Sequence, residues 1–292
     1  MGGKIYIVIP VFNRCEETLT CLESLTHQTY ANFTTIVVDD GSSDGTEERV
    51  TSAFPDVVLL KGDGNLWWTG GTNKGVEWAL ERAQPDDFIL TLNNDLTVNP
   101  DYLQVLISAY QESGPNVVLG SKSVYSTDID KVMFAGVKIY WAKGINRPST
   151  ERIKKQHELI KTDVLPGRGT LIPVPVFEKT GLYDAENFPQ YLSDYDLAIK
   201  AEKAGYLLYV VDKAIVISDV EKTGLGSQYN YDKISFMDVI KSFWSIRSAK
   251  HLGKRWKFAL RHCPRMQLIP HLILDTLSVT TSYWRKRYLS KS

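Results

Sequence analysis

Short apolar runs alternate along the first half of the chain with segments in which leucines recur at helical spacing. Short apolar runs are typical of buried strands, whereas the spacing of Leu19, Leu22 and Leu25 is typical of a helix, for which Asn13 is the expected cap. A second helix is expected from near Thr46 with Ser42 or Ser43 as its cap, a third over 74–83, and strands over 5–10, 33–38, 57–60 and 88–92. This alternation indicates βαβ units and an α/β fold with a mainly parallel central sheet flanked by helices.

Acidic and amide residues follow two of these strands at the point where each strand ends. The second strand runs into Asp39-Asp40-Gly41-Ser42-Ser43-Asp44, and the fourth runs into Asn93-Asn94-Asp95. Ligands of open α/β folds bind outside the carboxyl ends of the strands, and an unpaired buried carboxylate is costly. These acids therefore either hold a ligand or cap the next helix, and we interpret the edge as a nucleotide-sugar site.

The first strand ends in Pro10-Val11-Phe12-Asn13, which a parallel sheet places beside the two acids of the second strand. Asp39 or Asp40 can accept hydrogen bonds there from a base N–H or a ribose hydroxyl, while Pro10-Val11 gives the base an apolar surface. The residues alone leave open the alternative that Asp40 and Asp44 only cap a turn.

A glycine-rich stretch, Gly64-Asn65-Leu66-Trp67-Trp68-Thr69-Gly70-Gly71-Thr72-Asn73-Lys74-Gly75, leads into the third predicted helix. Its glycines permit close backbone approach, and successive N–H groups at a helix start favour an anion such as a diphosphate. Trp67 and Trp68 are expected to wall a sugar or stack on an acceptor, with packing beneath the loop as the alternative for one of them. The stretch is neither a P-loop nor GxGxxG, which counts against nucleotide kinases and dehydrogenases.

Two further acids carry candidate chemistry. Asp95 is positioned to bind Mg²⁺ or Mn²⁺ between two phosphate groups, or else to cap a turn before Asn99-Pro100. Asp194 lies in the first turn of an amphipathic helix, where the helix dipole stabilises a carboxylate, and it can point into the cleft as a base. Two residues later, Asp196 is four positions from Lys200, a spacing typical of an ion pair.

The order of these motifs resembles that of the family 2 glycosyltransferases, which adopt the GT-A fold. The resemblance covers about residues 4 to 220. Its glycine-rich stretch with paired tryptophans is similar to that of bacterial rhamnosyltransferase-type members that build surface polysaccharides. Besides the motifs above, the matching pieces are Gly167-Arg168-Gly169-Thr170, Thr180-Gly181-Leu182-Tyr183-Asp184 and Ser193-Asp194-Tyr195-Asp196-Leu197.

The resemblance implies a role for each matching position. Asp39 or Asp40 would hold uracil or thymine and ribose, Asp95 would bind the metal, and Asp194 would be the general base of an inverting transfer. Further expected contacts are to the nucleotide from Pro10, Phe12, Asn13, Gly70, Gly71 and Asn73, and to the donor or acceptor from Trp67, Trp68, Asn94, Arg168 and Gly169.

The chain departs from the family pattern at three positions. Asn93-Asn94-Asp95 offers one charged metal ligand, and Ser193 stands where Glu commonly precedes the base. Many members carry a metal-binding His after the last core strand, whereas this chain has Ile217-Ser218-Asp219. Either Asp219 substitutes for that His as a metal ligand, or the third ligand is missing. These departures imply modest metal affinity, and they keep open the alternative of a non-catalytic nucleotide-sugar-binding relative with a degenerate metal site.

The composition also indicates the compartment in which the protein is expected to work. The apolar run after the N-terminus stops at Pro10, so no signal peptide is expected, and no stretch reaches the roughly 18 apolar residues that a spanning helix needs. Three cysteines without metal-type spacing indicate reduced thiols and a cytoplasmic setting.

The zero net charge of the 292 residues conceals an asymmetry. From Lys233 onward there are thirteen Lys and Arg residues against Asp238 and Asp275, a net charge of +11. We therefore expect a GT-A domain over 1–230 and a basic, aromatic, mainly helical tail over 231–292. One interpretation places the tail on an anionic membrane surface, at the inner face of the cell membrane. The other packs it against the acidic first part or a second subunit, as in a homodimer, and nucleic acid is not an expected partner.

Together the residues and the resemblance predict an inverting glycosyltransferase. The expected donor is a UDP- or dTDP-linked sugar such as dTDP-rhamnose, and the expected acceptor is a hydroxyl of a saccharide, free or linked to polyprenyl diphosphate, in surface polysaccharide synthesis.

Overall fold

The computed structural model describes residues 2–153, 158–218 and 236–289, which form a central sheet with helices on both faces. The strands are β1 (Ile5–Val11), β2 (Phe33–Asp39), β3 (Val58–Lys61), β4 (Phe88–Thr91), β5 (Leu96–Val98), β6 (Val117–Tyr125), β7 (Asp128–Phe134), β8 (Val137–Tyr140), β9 (Ile145–Pro148), β10 (Arg152–Ile153), β11 (Leu159–Lys161), β12 (Thr170–Pro173) and β13 (Leu207–Ser218). The helices are α1 (Cys15–Thr26), α2 (Thr46–Ala53), α3 (Trp67–Leu80), α4 (Tyr102–Ser113), α5 (Val174–Thr180), α6 (Ser193–Lys203), α7 (Phe236–Ser242), α8 (Leu252–His262) and α9 (Leu268–Leu289).

The N-terminal half of the sheet is parallel, as the alternation of the sequence predicts. Strands β3, β2, β1 and β4 lie side by side with parallel pairing. The sheet continues through β12, β6, β13, β11 and β10, where β6 and β13 pair in parallel and the others are antiparallel. Val11 pairs with Asp39 and Val8 with Thr91, so the carboxyl ends of β1, β2 and β4 meet at one edge.

Period-two alternation along β1 builds the two hydrophobic layers. Ile5, Ile7 and Ile9 face the core shared with α1, α2 and α4, whereas Tyr6 and Val8 face the core shared with α3, α5 and α6. Full burial of each large apolar side chain contributes about 1.5–3 kcal/mol, so both layers hold the site edge in place.

The first two helices are capped by a residue other than those expected from the sequence. The Asp44 carboxylate accepts hydrogen bonds from Cys15 N (2.9 Å) at the start of α1 and from Thr46 N (3.3 Å) at the start of α2. Asn13 instead accepts from Ser43 N (3.0 Å), and the backbone N–H of Asn13 donates to Ser42 Oγ. The expected caps Asn13, Ser42 and Ser43 are therefore wrong, because one carboxylate reaches both helix starts.

Helix α3 begins seven residues earlier than the sequence predicts. Gly70 and Gly71 lie inside it, and Gly70 N donates to Leu66 O (3.0 Å) as an ordinary helical hydrogen bond. A Cβ on Gly75 would lie 2.5 Å from Val8 Cγ1, so glycine at this position lets the helix backbone approach β1. The glycines that indicate a loop in the sequence thus serve helix–sheet packing at this position.

The C-terminal extension is helical, as expected, and α8 packs on α6 through charged groups. Asp196 of α6 is fully buried and receives Arg261 Nη1 (2.9 Å), His262 Nε2 (2.7 Å) and Lys200 Nζ (2.7 Å). Arg261 also bonds Asp184 (2.7 Å). At α8 the tail therefore packs against the first part of the chain, and the expected pairing of Asp196 with Lys200 is confirmed.

Two further sequence predictions concern the domain border before this extension and the presence of a membrane-spanning helix. The predicted domain border after residue 230 lies outside the described residues. Within the described ranges, no helix combines the length and apolar character needed to cross a membrane.

Candidate active site

Three strand ends bring the predicted nucleotide-binding residues to one edge. Pro10 pairs with Val38 one residue before the end of β1, and Phe12 follows the strand with 53% of its surface exposed. Asn13 lies next to the 42–43 turn through its two hydrogen bonds. Pro10, Phe12, Asn13 and Asp39 thus lie together, as the sequence predicts for a slot between β1 and β2.

The two acids after β2 have different surroundings. Both oxygens of Asp40 accept backbone hydrogen bonds, from Gly64 N (2.9 Å) and from Trp67 N (3.1 Å). Asp39 Oδ1 accepts from Ser42 N (2.9 Å), and Asp39 is likewise almost fully buried. Asp40 is therefore committed to the turn before α3, in line with the turn interpretation, and Asp39 is the better candidate for a nucleotide contact.

The start of α3 does not offer the anion cradle that the sequence predicts. Trp67 N donates to Asp40, Trp68 N to Gln190 Oε1 (3.1 Å), and Thr69 N to Pro189 O (3.0 Å). These are the first-turn groups that would otherwise face a diphosphate. Protein acceptors satisfy these donors, so they do not favour the diphosphate contact through this helix start, and the contacts expected of Gly70 and Gly71 stay predictions.

The two tryptophans and Asn73 separate into packing and surface roles. Trp68 donates from Nε1 to Asn93 Oδ1 (3.0 Å) and meets the Tyr183 ring edge-on at 5.7 Å, so it packs beneath the site. Trp67 is partly exposed, with the Arg247 guanidinium 5.6 Å from its ring centroid. Asn73 exchanges two hydrogen bonds with the Tyr183 backbone, which ties α3 to the 180–184 segment instead of to a nucleotide.

Asp95 lies between two arginines. Its Oδ2 receives Arg14 Nη1 at 3.0 Å, and the Asp95 side chain is only 9% exposed. Burial raises the pKa of the Asp95 carboxyl, although the charges of Arg14 and Arg168 act in the opposite direction. The neighbouring Asn94 is buried and donates to Thr18 Oγ1 (2.9 Å), so its amide braces the turn from inside.

The loop before β12 connects this edge to α6. Gly169 N donates to Thr91 O (2.8 Å) at the end of β4, and Gly169 O accepts from Ser121 Oγ (2.7 Å), so Gly169 has a packing role. Arg168, one residue earlier, exerts its charge on both Asp95 and Asp194. The Arg168 guanidinium contacts Met133 Sδ (3.1 Å), so its influence on the predicted metal ligand and the predicted base is that of a nearby charge.

Asp194 is held at the first turn of α6. Its Oδ2 accepts from Gly167 N (3.0 Å) and its Oδ1 from Tyr195 N (2.9 Å). Burial raises the pKa of Asp194 despite these donors and the charge of Arg168. A raised pKa makes the carboxylate a stronger base at neutral pH, which suits proton transfer from a hydroxyl.

Ser193, which replaces the Glu common in the family, has a structural partner. Its hydroxyl lies 2.8 Å from Thr69 Oγ1, and both residues are buried. This contact joins the first turn of α6 to the first turn of α3. It therefore fixes the position of Asp194 relative to Trp67 and Trp68.

Backbone strain is concentrated around this edge. In the described chain, the non-glycine residues with positive φ are Asn13 (56°), Arg14 (64°), Trp67 (57°) and Leu192 (74°). Each costs on the order of 1–2 kcal/mol for an L-residue in the left-handed region. Because such strain persists only where the surroundings over-determine it, its clustering at one edge marks a candidate functional site.

Sequence reasoning missed Arg14 and the partners of Asp196. Arg14 lies three residues after the end of β1, in the turn that leads to α1, so its place on the same edge as Asp95 could be read from the sequence. Arg261 and His262 lie 65 and 66 residues from Asp196, and no local pattern connects them.

A divalent cation at this edge would find a limited donor set. In the part of the chain that the structure describes, no three His, Cys, Asp or Glu side chains form a metal-binding group. Asp219 lies outside the described residues. Since Mg²⁺ is commonly held by one or two carboxylates together with substrate phosphates, Asp95 fits such an ion once Arg14 releases its oxygen.

Solved structures share the fold of this chain. Mannosyltransferase PcManGT from Pyrobaculum calidifontis, in complex with GDP-Man and Mn²⁺, aligns with a TM-score of 0.58 at 16% identity, over 100% of this chain and 77% of that one. GalNAc-T7 with UDP, GalNAc and Mn²⁺ aligns with a TM-score of 0.61 at 12% identity, over 96% of this chain and 56% of that one. At these identities the likeness shows the fold alone, and it is the GT-A fold expected from the sequence.

Sequence relatives narrow the family. The chain is 27% identical over 267 residues to the N-acetylglucosaminyl-diphospho-decaprenol L-rhamnosyltransferase of Mycobacterium tuberculosis, covering 82% of this chain and 85% of the relative. It is 24% identical over 259 residues to the amylovoran biosynthesis glycosyltransferase AmsB of Erwinia amylovora, covering 85% and 79%. The family model for glycosyl transferase family 2 matches residues 6–181, more than half of the chain. The chain therefore belongs to glycosyl transferase family 2, in a bacterial polysaccharide branch with rhamnosyltransferase relatives.

Proposed function

We propose that this protein is an inverting, nucleotide-sugar-dependent hexosyltransferase of surface polysaccharide synthesis. It would move a sugar from a UDP- or dTDP-linked donor, with dTDP-rhamnose as the preferred candidate, to a hydroxyl of a saccharide carried on polyprenyl diphosphate. The name of the Mycobacterium tuberculosis relative, which contains a diphospho-decaprenol acceptor and an L-rhamnosyl group, supports both choices. The biosynthetic name of AmsB supports the polysaccharide setting.

The observation that carries the proposal is the environment of Asp194. The carboxylate is held by Gly167 N and Tyr195 N, its pKa is raised by burial, and the charge of Arg168 lowers the pKa of both this carboxyl and that of Asp95. In the proposed reaction Asp194 accepts the proton of the acceptor hydroxyl while that oxygen attacks the anomeric carbon. Attack from the face opposite the leaving group inverts the anomeric centre.

Arg14 and Arg168 are proposed to stabilise the negative charge on the leaving nucleoside diphosphate. Since the first-turn N–H groups of α3 have protein acceptors, these guanidinium groups are the described donors best matched to phosphate oxygens. We propose Asp95 and Asp219 as the ligands of a Mg²⁺ or Mn²⁺ ion, which supplies electrostatic stabilisation to the same diphosphate when bound.

The nucleoside is proposed to bind between the ends of β1 and β2. Asp39 would accept hydrogen bonds from the base or the ribose, and the exposed ring of Phe12 would cover the base. Pro10 and Asn13 would complete that pocket. The side chain of Trp67, partly exposed, is proposed to contact the donor or acceptor sugar. A cytoplasmic location and a homodimer remain predictions of the sequence.

Replacement of Asp194 by Asn tests the proposal directly. Because a positioned base contributes about 10²–10⁴-fold to proton transfer, Asp194→Asn is expected to lower kcat by that factor. The assay is release of nucleoside diphosphate and sugar transfer from UDP- and dTDP-linked donors, each with and without Mn²⁺. Asp101→Asn, the same change at an exposed acid, is the matched control and should keep wild-type activity.

The outcomes separate the transferase from the non-catalytic alternative. Binding of a nucleotide sugar without transfer by the wild-type protein would favour the non-catalytic relative. Retained transfer in Asp194→Asn would contradict the role of the base. Because the base is active when ionised and its pKa is raised, kcat should also fall on acidification at a pH above the ordinary aspartate value of about 3.9. Circular dichroism over the same pH range checks that the loss is not unfolding.

A further inference from the structure

Helices α8 and α9 form a hairpin with an exposed apolar face. The residues of this hairpin face share high exposure: Met266 is 95% exposed, Ile269 70% and Leu260 64%. We call this surface the hairpin face. It consists of these three residues and three that are 40–60% exposed, namely Trp256, Ile273 and Leu277. A large, continuous apolar surface of this kind marks an interaction site.

The six residues lie on one side of the hairpin. Ile269, Ile273 and Leu277 recur every four residues along α9, and Trp256 and Leu260 do the same along α8. Trp256 Nε1 donates to Thr276 Oγ1 (3.0 Å), which sets the α8 row beside the α9 row. The opposite side of α9 faces the protein, where His271 bonds the Trp141 carbonyl (3.0 Å).

The charge of the surrounding segment determines which partner fits this face. Residues 239–292 contain twelve Lys and Arg residues and a single acid, Asp275. Asp275 is buried and paired with Arg255, so its charge is already compensated. Arg265, next to Met266 in the connection, is exposed at the edge of the hairpin face.

We propose that the hairpin face docks on an anionic phospholipid bilayer, with its apolar side chains in the interfacial region and the basic residues at the lipid headgroups. An exposed apolar face on a basic segment, with Arg265 at its edge, is the pattern of an interfacial helix. A second copy of the chain fits less well, because pairing the two faces would bring two basic segments together.

Docking there would bring lipid close to the candidate base. Arg261 and His262 of α8 hold Asp196, which lies two residues after Asp194 on the same helix. The hairpin and the first turn of α6 are thus one packed unit. The consequence that the acceptor is lipid-linked rests on the proposed function, whereas the docking itself requires no sugar transfer.

Vesicle flotation of the full chain tests the docking without any nucleotide sugar. The vesicles are phosphatidylglycerol in phosphatidylcholine, with pure phosphatidylcholine as the neutral arm. The double variant Ile269→Ser/Ile273→Ser should bind anionic vesicles at least roughly tenfold more weakly, because each isoleucine loses most of its apolar area. Ile129→Ser, at a position 65% exposed on β7, is the matched control and should bind like wild type.

Further measurements test whether charge contributes to vesicle binding and whether the hairpin face instead binds a second copy of the chain. Arg265→Gln should weaken binding by about fivefold at low salt, and neutral vesicles should bind less protein than anionic ones. Equal binding by wild type and the double variant, or no binding to anionic vesicles, would overturn the proposal. A dimer in sedimentation velocity that the double variant abolishes, without vesicle binding, would assign the face to a second copy. Transfer to a soluble acceptor should be unchanged in the double variant, which separates failure of docking from failure of the transferase.

Discussion

At the scale of single residues, Arg14 is the side chain that most changes the picture of the site. Its backbone is held in the left-handed region, and its guanidinium faces the Asp95 carboxylate at 3.0 Å. A cation held in a strained backbone conformation at the start of a helix is a costly arrangement for packing alone. Arg14 and Arg168, the second of which also acts on the Asp95 carboxyl through its charge, are the cations that we propose to contact the diphosphate.

The substitution Arg14→Gln tests this assignment. Loss of a charge-assisted hydrogen bond to phosphate, about 1.5–3 kcal/mol, should weaken binding of a nucleoside diphosphate by roughly 10-fold or more. Calorimetric titration should show little change for the nucleoside, which lacks phosphate. Arg49→Gln, which removes an exposed arginine paired with Glu16, is the control. Equal weakening of nucleoside and nucleoside diphosphate would assign Arg14 to support of Asp95 alone.

At the scale of elements, local patterns predict the parallel half of the fold and miss the rest for a physical reason. Strands β1, β2, β3 and β4 fall within two residues of their predicted bounds because each is a short buried run. The predicted start of α3 is seven residues late because Gly70 and Gly71 indicate a loop, whereas a Cβ on Gly71 would lie 3.1 Å from Pro10 Cβ, so tertiary packing against β1 favours glycine there. The antiparallel insertion of β12 between β4 and β6 depends on long-range pairing, which periodicity cannot encode.

The contact between α3 and the loop before β12 makes a specific stability prediction. A Cβ on Gly167 would lie 2.1 Å from Trp68 Cζ2, so Gly167→Ala should displace the indole and strain its hydrogen bond to Asn93. Overpacking of this kind costs about 1–3 kcal/mol in free energy of unfolding, measured by urea denaturation. Gly253→Ala is the control, because its Cβ would meet only the His251 side chain, at 3.3 Å and 3.6 Å. A Gly167→Ala protein as stable as wild type would contradict this packing.

At the scale of the whole molecule, the site is assembled from strand ends, two helix starts and a distant C-terminal helix. The strand-end acids and Asp194 could be found from the sequence because each follows or opens an element. The grouping of Arg14, Asp95, Arg168 and Asp194 could not, since it follows from how β12 and α6 pack. Asp196 shows the same limit, because its cationic partners arrive from α8.

Asp196 should therefore control how firmly the C-terminal hairpin is held. Burial alone would raise its pKa, but the bonds from His262, Lys200 and Arg261 outweigh burial and lower it. Asp196→Asn leaves these cations without their buried counter-charge and should reduce the free energy of unfolding by about 3–5 kcal/mol at pH 7. Asp212, whose side chain is 25% exposed and pairs with Lys122, gives the control Asp212→Asn, with an expected loss below about 1 kcal/mol.

The pH dependence of the same variant gives a second readout with a fixed sign. A lowered pKa in the folded state stabilises the protein above the ordinary aspartate value and loses that contribution as the pH falls. The stability gap between wild type and Asp196→Asn should therefore shrink below about pH 4. Urea denaturation at several pH values measures the gap. A gap that stays constant on acidification would mean that shape, and not the charge of Asp196, holds α8 on the domain that carries Asp194.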